Sequence, residues 1–146
     1  MTRARPVIAI DGPSGVGKTT VSRLLAGRLG YEYINTGAMY RSVALAADEA
    51  GVDLTSGEEL AVFLLTVEAA YDFDKGSIIL NGRDYSALVA TQRAGALASV
   101  ASSKAPVRDF LVAFQRTLGA SGGVVMEGRD IGTNVFPDAE VKFFLD

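Results

Sequence analysis

One short segment near the N-terminus carries a phosphate-binding pattern. Gly12 to Thr19 read Gly-Pro-Ser-Gly-Val-Gly-Lys-Thr, which fits G-x-x-x-x-G-K-[ST] at every fixed position. The glycines let the backbone turn its N–H groups toward phosphate oxygens, while Lys18 reaches the β and γ phosphates and Thr19 ligates magnesium. The pattern therefore predicts binding of a nucleoside triphosphate with Mg²⁺. The alternative is a glycine-rich turn that binds nothing.

A second group of chemically active residues comes late in the chain. The apolar run Gly123 to Met126 leads into Glu127-Gly128-Arg129-Asp130. A buried strand that ends in an acid is what a Walker B position requires, so Glu127 is a candidate to hold the water shell of magnesium. Arg129 and Asp130 then lie on the rim at the carboxyl end of the strand. The alternative is a charged loop with an Arg–Asp ion pair.

These residues need strands and helices that place them at one edge of a sheet. Residues 6–10 form a short apolar run that contains β-branched residues, as in a buried parallel strand. Residues 20–29 have helical periodicity, with apolar residues at Val21, Leu24, Leu25 and Leu29. The order strand, glycine loop, helix is the one that a phosphate loop requires.

A second strand is predicted at residues 31–35, ending in a turn that looks functional. The helix that follows has Met39, Val43, Ala46 and Ala47 on its apolar side. Because ligands bind at the carboxyl ends of strands in α/β sheets, Thr36 and Arg41 are candidates to contact a second substrate. The alternative for Arg41 is an ordinary solvated helix residue.

The remaining elements suggest an insert in an α/β core. Ser56-Gly57-Glu58-Glu59 is a capping box for a packing helix, and residues 71–85 predict a small antiparallel meander. Helices are predicted at about 91–102 and 106–118, and a last parallel strand at 141–145. Residues from about 66 to 104 are interpreted as an insert that covers the second-substrate site.

Composition limits the function classes. The chain has 146 residues, 49% hydrophobic and 21% charged, a net charge of −3, and neither Cys nor His. Disulfides, thiolate chemistry and His bases are therefore excluded, and phosphoryl transfer needs none of them. The mildly acidic balance argues against a nucleic-acid partner. The sequence contains no apolar run of membrane-spanning length and no signal-peptide pattern, so we expect a cytoplasmic protein without a membrane partner.

Three segments together resemble bacterial cytidylate kinases. They are residues 10–19, Asn-Thr-Gly-Ala-Met-Tyr-Arg at 35–41, and Glu-Gly-Arg-Asp-Ile-Gly-Thr-Asn-Val-Phe-Pro-Asp-Ala at 127–139. The last segment discriminates best, since many kinases share the phosphate loop. The resemblance implies a single P-loop kinase domain with a three-layer core of about 1–35 and 105–146, a central parallel sheet, and a substrate-binding region with the small α+β insert at about 36–104. It also implies transfer of the ATP γ-phosphoryl group to CMP or dCMP with magnesium. We expect a monomer, although the sequence does not determine the oligomeric state.

The resemblance assigns roles to individual residues. It implies that Lys18, Arg129 and Asp130 are catalytic and that Thr19 and Glu127 serve the metal. Substrate-binding residues are Thr36, Arg41, Arg108, Arg129 and Asp130. ATP-binding residues are Gly12, Pro13, Ser14, Gly15, Val16, Gly17, Lys18, Thr19 and Thr20.

Four departures from the family pattern stand out. Asn35 replaces an Asp near the nucleotide pocket, and Ala90 replaces a substrate-side arginine. Asn134 replaces a Val, with little expected consequence. The family also continues beyond Asp146 into a helix, an arginine-bearing lid, a last helix and an edge strand, which are absent here. We therefore expect a fragment of a longer enzyme; a complete 146-residue molecule would bind nucleotide but turn it over poorly.

Two alternatives to this function stay open. The first is another small-molecule P-loop kinase, acting for example on shikimate or gluconate. The second is a nucleotide-binding module without turnover, which Ala90 and the absent lid favour.

Overall fold

The computed structural model of the protein describes residues 2–146. They form two compact units, one from residues up to Thr36 together with Gln115–Asp146, and one from Gly37–Phe114. The single kinase domain expected from the sequence stays a prediction. In chain order the elements are β1 (Val7–Asp11), α1 (Lys18–Leu29), β2 (Glu32–Asn35), α2 (Thr36–Glu49), α3 (Gly57–Leu64), β3 (Ala69–Asp72), β4 (Ser77–Leu80), β5 (Arg83–Asp84), α4 (Gln92–Ala101), α5 (Ala105–Gly119), β6 (Val124–Gly128), a π-helical turn (Ile131–Val135) and β7 (Val141–Phe144).

The first unit is built on a four-stranded parallel sheet in the order β2-β6-β1-β7. All residues of β1 and β6 are buried, as expected for central strands of a parallel sheet. The register places Ile10 opposite Glu127 and Asp11 opposite Gly128, so the ends of β1 and β6 lie side by side. The α/β fold class with a central parallel sheet is confirmed; the three-layer arrangement stays a prediction.

Helix α1 is confirmed, but its periodicity was a poor guide to its buried face. Val21, Leu24 and Leu29 are 43%, 59% and 44% exposed. The buried residues of α1 are Lys18, Ser22 and Ala26 instead. Small side chains let a helix approach the sheet closely, and Lys18 must point inward to serve the loop, so chemistry and close packing override the apolar pattern here.

The predicted turn after the second strand is wrong. Strand β2 ends at Asn35 and α2 begins at Thr36 with no residue between them. The apolar face of α2 is as expected, since Met39, Val43 and Ala47 are buried. A candidate residue at this junction is therefore held by regular structure on both sides.

The second unit contains the predicted meander as the antiparallel sheet β3-β4-β5. Helix α3 begins after Ser56, whose hydroxyl accepts from the amide of Glu59 at 3.1 Å, and Leu60 and Leu64 of this helix are buried. The capping box is only half formed, because the Glu59 carboxylate accepts from the amide of Asp53 rather than from Ser56. Within residues 2–146, no helix has both the length and the apolarity needed to cross a membrane.

Candidate active site

The phosphate loop runs from the end of β1 to the start of α1, as the sequence predicted. Gly12 opens it with φ of +146°, and a Cβ at this position would lie 2.0 Å from the carbonyl oxygen of Leu145. Only glycine combines that backbone conformation with such a close approach. Gly12 therefore lets the loop leave β1 directly beside the chain that follows β7.

Lys18 points back into the loop rather than out to solvent. Its side chain is 8% exposed, and its Nζ donates to the carbonyl oxygens of Gly12 and, at 3.1 Å, Gly128. Burial lowers the pKa of Lys18, and the nearby cation of Arg129 acts in the same direction, while Glu127 and Asp11 oppose the shift. The ammonium thus joins the ends of β1 and β6, at the mouth of the loop.

Glu127 is the buried acid at the end of β6, and three hydroxyls hold it. Its Oε2 accepts from the hydroxyl of Thr19 at 3.1 Å, and its Oε1 accepts from the hydroxyl of Tyr33 at 2.5 Å. The Thr36 hydroxyl donates to the backbone carbonyl of Glu127 at 2.8 Å. Burial and the hydrogen bond to Glu127 raise the pKa of Tyr33 to about 12, so Tyr33 acts as a donor over the physiological pH range.

Thr36 is at the junction of β2 and α2 and is 4% exposed. Its hydroxyl proton is donated to the backbone carbonyl of Glu127. A Cβ on Gly128 would come within 2.7 Å of the Thr36 hydroxyl and 2.8 Å of Ile131. Gly128 is therefore required for close packing between these elements. Only the lone pairs of the Thr36 hydroxyl are left for a substrate.

Arg129 and Asp130 lie on the rim after β6, and both are exposed. The Arg129 guanidinium donates to the Ser14 hydroxyl at 2.6 Å, so the structure places this arginine against the phosphate loop. Asp130 accepts from the side-chain amide of Asn134 at 3.3 Å. The sequence comparison gave Asn134 little importance, yet it contacts a candidate site residue.

Sequence reasoning missed two residues that position this rim. The Asp11 carboxylate is buried and accepts from the amides of Ile131 and Gly132, both at 2.9 Å, so it caps the π-helical turn that follows Asp130. At the other end of the turn, the Arg116 guanidinium donates to the carbonyl of Val135 at 3.0 Å. The signal for Asp11 was its place at the end of a strand, directly before the phosphate loop.

Tyr33 was also missed, because a tyrosine in a short strand is normally a packing residue. Its ring packs against the cluster of Ile8, Ile10, Ala26 and Val125, and Arg23 lies 5.2 Å from the ring centroid. No local signal identified it, because its link to Glu127 depends on the register of β2 against β6, in which Asn35 lies opposite Glu127.

The other two predicted substrate residues belong to the second compact unit. Arg41 lies on α2 and Arg108 on α5, and both are exposed. Lys18, Thr19, Thr36, Glu127, Arg129 and Asp130 are all in the first unit. The contacts above link the first five to the phosphate loop or to the end of β6, and Asp130 follows them on the rim.

The first unit offers oxygen donors suited to magnesium. Thr19 and Glu127 are in mutual contact beside the loop, and both present hard oxygen ligands. Among residues 2–146, no group of three or more His, Cys, Asp or Glu side chains could hold a metal ion. Mg²⁺ keeps several waters and takes substrate phosphates as ligands, so a hydroxyl and one carboxylate fit its needs.

Comparison with known proteins points to one family. A family model described as cytidylate kinase matches residues 8–146. The chain belongs to the cytidylate kinase family. It is 50% identical over 141 residues to a cytidylate kinase of Citrifermentans bemidjiense, which covers 95% of this chain and 60% of that protein.

Two further relatives extend the comparison within the cytidylate kinase family. The Bacillus subtilis cytidylate kinase is 45% identical over 140 residues, covering 94% of this chain and 62% of its own length. A bifunctional pantoate ligase/cytidylate kinase of Synechococcus elongatus is 45% identical over 148 residues, covering 97% of this chain and 28% of its own. The chain thus spans 60% of the length of curated relatives such as the one from Citrifermentans bemidjiense.

Proposed function

We propose that this chain acts in a CMP and dCMP kinase that transfers the γ-phosphoryl group of ATP to the nucleoside monophosphate. A phosphate oxygen of CMP forms a bond to the γ-phosphorus, the bond from that phosphorus to the β,γ-bridging oxygen breaks, and CDP and ADP leave. The observation that carries this proposal is the contact of Thr19 with Glu127 beside a buried Lys18, at adjacent strand ends. That arrangement joins a phosphate-binding lysine to a magnesium-binding pair.

The donor nucleotide is proposed to bind at the loop. Its backbone amides and the start of α1 face the phosphates, while Lys18 exchanges its bonds to Gly12 and Gly128 for phosphate oxygens. Exchange is favourable because a buried ammonium gains an anionic partner in place of neutral carbonyls. The proposed ATP-binding residues are Gly12, Pro13, Ser14, Gly15, Val16, Gly17, Lys18, Thr19 and Thr20.

Magnesium is proposed to be held by Thr19 directly and by Glu127 through water. When bound it neutralises charge on the donor phosphates. The Thr19 hydroxyl can keep its hydrogen bond to Glu127 while its lone pair is given to the metal, since one proton and two lone pairs are available.

The acceptor side is proposed to use arginines and one acid. Arg41, Arg108 and Arg129 supply cations that let a dianionic phosphate approach the polyanionic donor, and Asp130 accepts from the cytosine amino group. Arg129 has an additional property, because its bond to Ser14 places it beside the donor loop. It is therefore suited to neutralise charge between the two nucleotides.

The test is an ADP-release assay of the 146-residue chain with ATP, magnesium and each of CMP, dCMP, UMP and AMP. Calorimetric binding of CMP and of ADP is measured in parallel. We expect both nucleotides to bind, and ADP release to be slow but fastest with CMP and dCMP.

Two results would contradict the proposal. Binding of CMP without CDP formation would indicate a nucleotide-binding module. Stabilisation against heating by shikimate or gluconate, with none by CMP, would indicate a different small-molecule kinase.

A further inference from the structure

The Glu127 carboxylate is a buried anion whose direct partners are neutral. It is 7% exposed, and its oxygens accept from the hydroxyls of Tyr33 and Thr19. The ion pairs of the described residues do not include it. Lys18 is near enough to interact with it electrostatically, but the ammonium is hydrogen-bonded to two backbone carbonyls. A buried carboxylate without an ion-pair partner favours a cation at its free side.

Tyr33 reaches Glu127 because of strand register. Strands β2 and β6 are parallel with Tyr33 opposite Val125 and Asn35 opposite Glu127. Side chains two residues apart share a face of the sheet, so Tyr33 and Glu127 are diagonal neighbours on one face. The phenol spans that diagonal and ends 2.5 Å from Oε1.

The tyrosine ring is itself held from two sides. The apolar cluster of the first unit packs against it, and the Arg23 guanidinium lies 5.2 Å from its centroid. Arg23 follows Thr19 by one turn of α1, so the two side chains lie on one face of that helix. Helix α1 thus supplies one donor to Glu127 directly, and its Arg23 supports the other through the ring and through a side-chain hydrogen bond to the Tyr33 hydroxyl.

We propose that Tyr33 is a positioning residue that orients Glu127 for magnesium, an inference that rests on the proposed function. With Oε1 fixed by Tyr33 and Oε2 by Thr19, the carboxylate plane is set before a nucleotide arrives. A preoriented carboxylate does not have to lose rotational freedom when it binds the metal's water shell, so metal-dependent nucleotide affinity is higher.

The test variant is Tyr33→Phe, which keeps the ring under Arg23 and removes only the hydroxyl. Tyr31→Phe is the matched control, because Tyr31 packs against the same cluster and its ring lies 4.9 Å from Arg5. Calorimetry measures ADP binding with and without Mg²⁺, and electron paramagnetic resonance measures Mn²⁺ bound in the presence of ADP. We expect Tyr33→Phe to weaken metal-dependent binding about 10-fold, the lower end for loss of a hydrogen bond to a metal ligand. ADP binding without metal should be unchanged.

The outcomes separate this inference from the proposed function. If the wild-type chain binds ADP with no dependence on Mg²⁺, the proposed function fails and the inference falls with it. If the wild-type chain prefers ADP with metal and Tyr33→Phe keeps that preference, only the inference fails. Equal weakening with and without metal, or the same loss in Tyr31→Phe, would show that the hydroxyl merely supports packing and would also overturn it.

Discussion

The residues proposed to bind the donor and those proposed to bind the acceptor are set in the molecule differently. Lys18 and Glu127 are 8% and 7% exposed, and their side chains are hydrogen-bonded within one compact unit. Arg129 and Asp130 are exposed at the rim, and Arg41 and Arg108 belong to the other unit. A buried charge needs specific partners to be tolerated, whereas an exposed charge does not. The region proposed for the donor is therefore held by internal hydrogen bonds to buried charges, whereas the residues proposed for the acceptor carry solvent-exposed charges.

Replacement of Lys18, in the region proposed to bind ATP, tests this contrast and should have the largest effect on kcat/KM. Lys18→Ala removes the cation proposed to meet the transferring phosphoryl group and leaves the Gly12 and Gly128 carbonyls without their donor. We expect kcat/KM for CDP formation to fall by about 10³-fold or more. Steady-state kinetics check this, with Lys75→Ala in the exposed β3–β4 turn as control. If the Lys18→Ala variant kept the wild-type rate, the assignment of the loop as the ATP-binding site would be wrong.

An acceptor-side change should be smaller and selective. Asp130→Ala removes the carboxylate proposed to accept from cytosine, and since Asp130 is exposed, the fold should tolerate the loss. We expect the KM for CMP to rise by about 10- to 100-fold, the value of one hydrogen bond to a charged group, with the KM for ATP nearly constant. Initial rates at varied CMP and varied ATP measure both values, and Asp74→Ala in an exposed turn is the control. Equal rises in the two KM values would show that the assignment of Asp130 to the CMP site is wrong.

The same contrast explains how far the sequence could predict this molecule. The phosphate loop and the acid at the end of β6 are local patterns, in which chemistry fixes both residue type and spacing, so they were found directly. The meander and helix α5 followed from turn residues and periodicity. Arg41 was a candidate because it follows a strand end, a pattern that does not specify the ligand, and the role of Arg108 rested on family resemblance alone.

What was missed depends on contacts between distant parts of the chain. Asp11 caps a turn 120 residues later, and Tyr33 bonds to an acid 94 residues later. Neither partner can be inferred from propensity or periodicity. The exposed Val21 and Leu24 show the converse, because an apolar helical pattern did not identify which face lies against the sheet.

The last prediction concerns Asp11, for which we expect the smallest kinetic effect. This residue links the end of β1, next to the phosphate loop, with the rim that carries Asp130. It ends the buried strand β1, yet its carboxylate holds the amides of Ile131 and Gly132 beside Asp130. Asp11→Asn keeps the shape but turns an NH₂ group toward one of these N–H donors, leaving a buried donor unsatisfied. We expect a loss of about 1–3 kcal/mol in the free energy of unfolding, measured by urea denaturation.

The kinetic consequence of Asp11→Asn separates the two regions. If Asp11 acts by positioning the rim, the KM for CMP should rise by less than about 10-fold while the KM for ATP stays constant. Asp138→Asn, at an exposed residue that pairs with Arg3, controls for a general effect of charge removal in the same unit. A larger rise in the KM for ATP than for CMP would mean that Asp11 acts through the phosphate loop. The rim would then be held by contacts other than that of Asp11, such as the bond from Arg116 to Val135, and the two proposed regions would share no positioning residue at the end of β1.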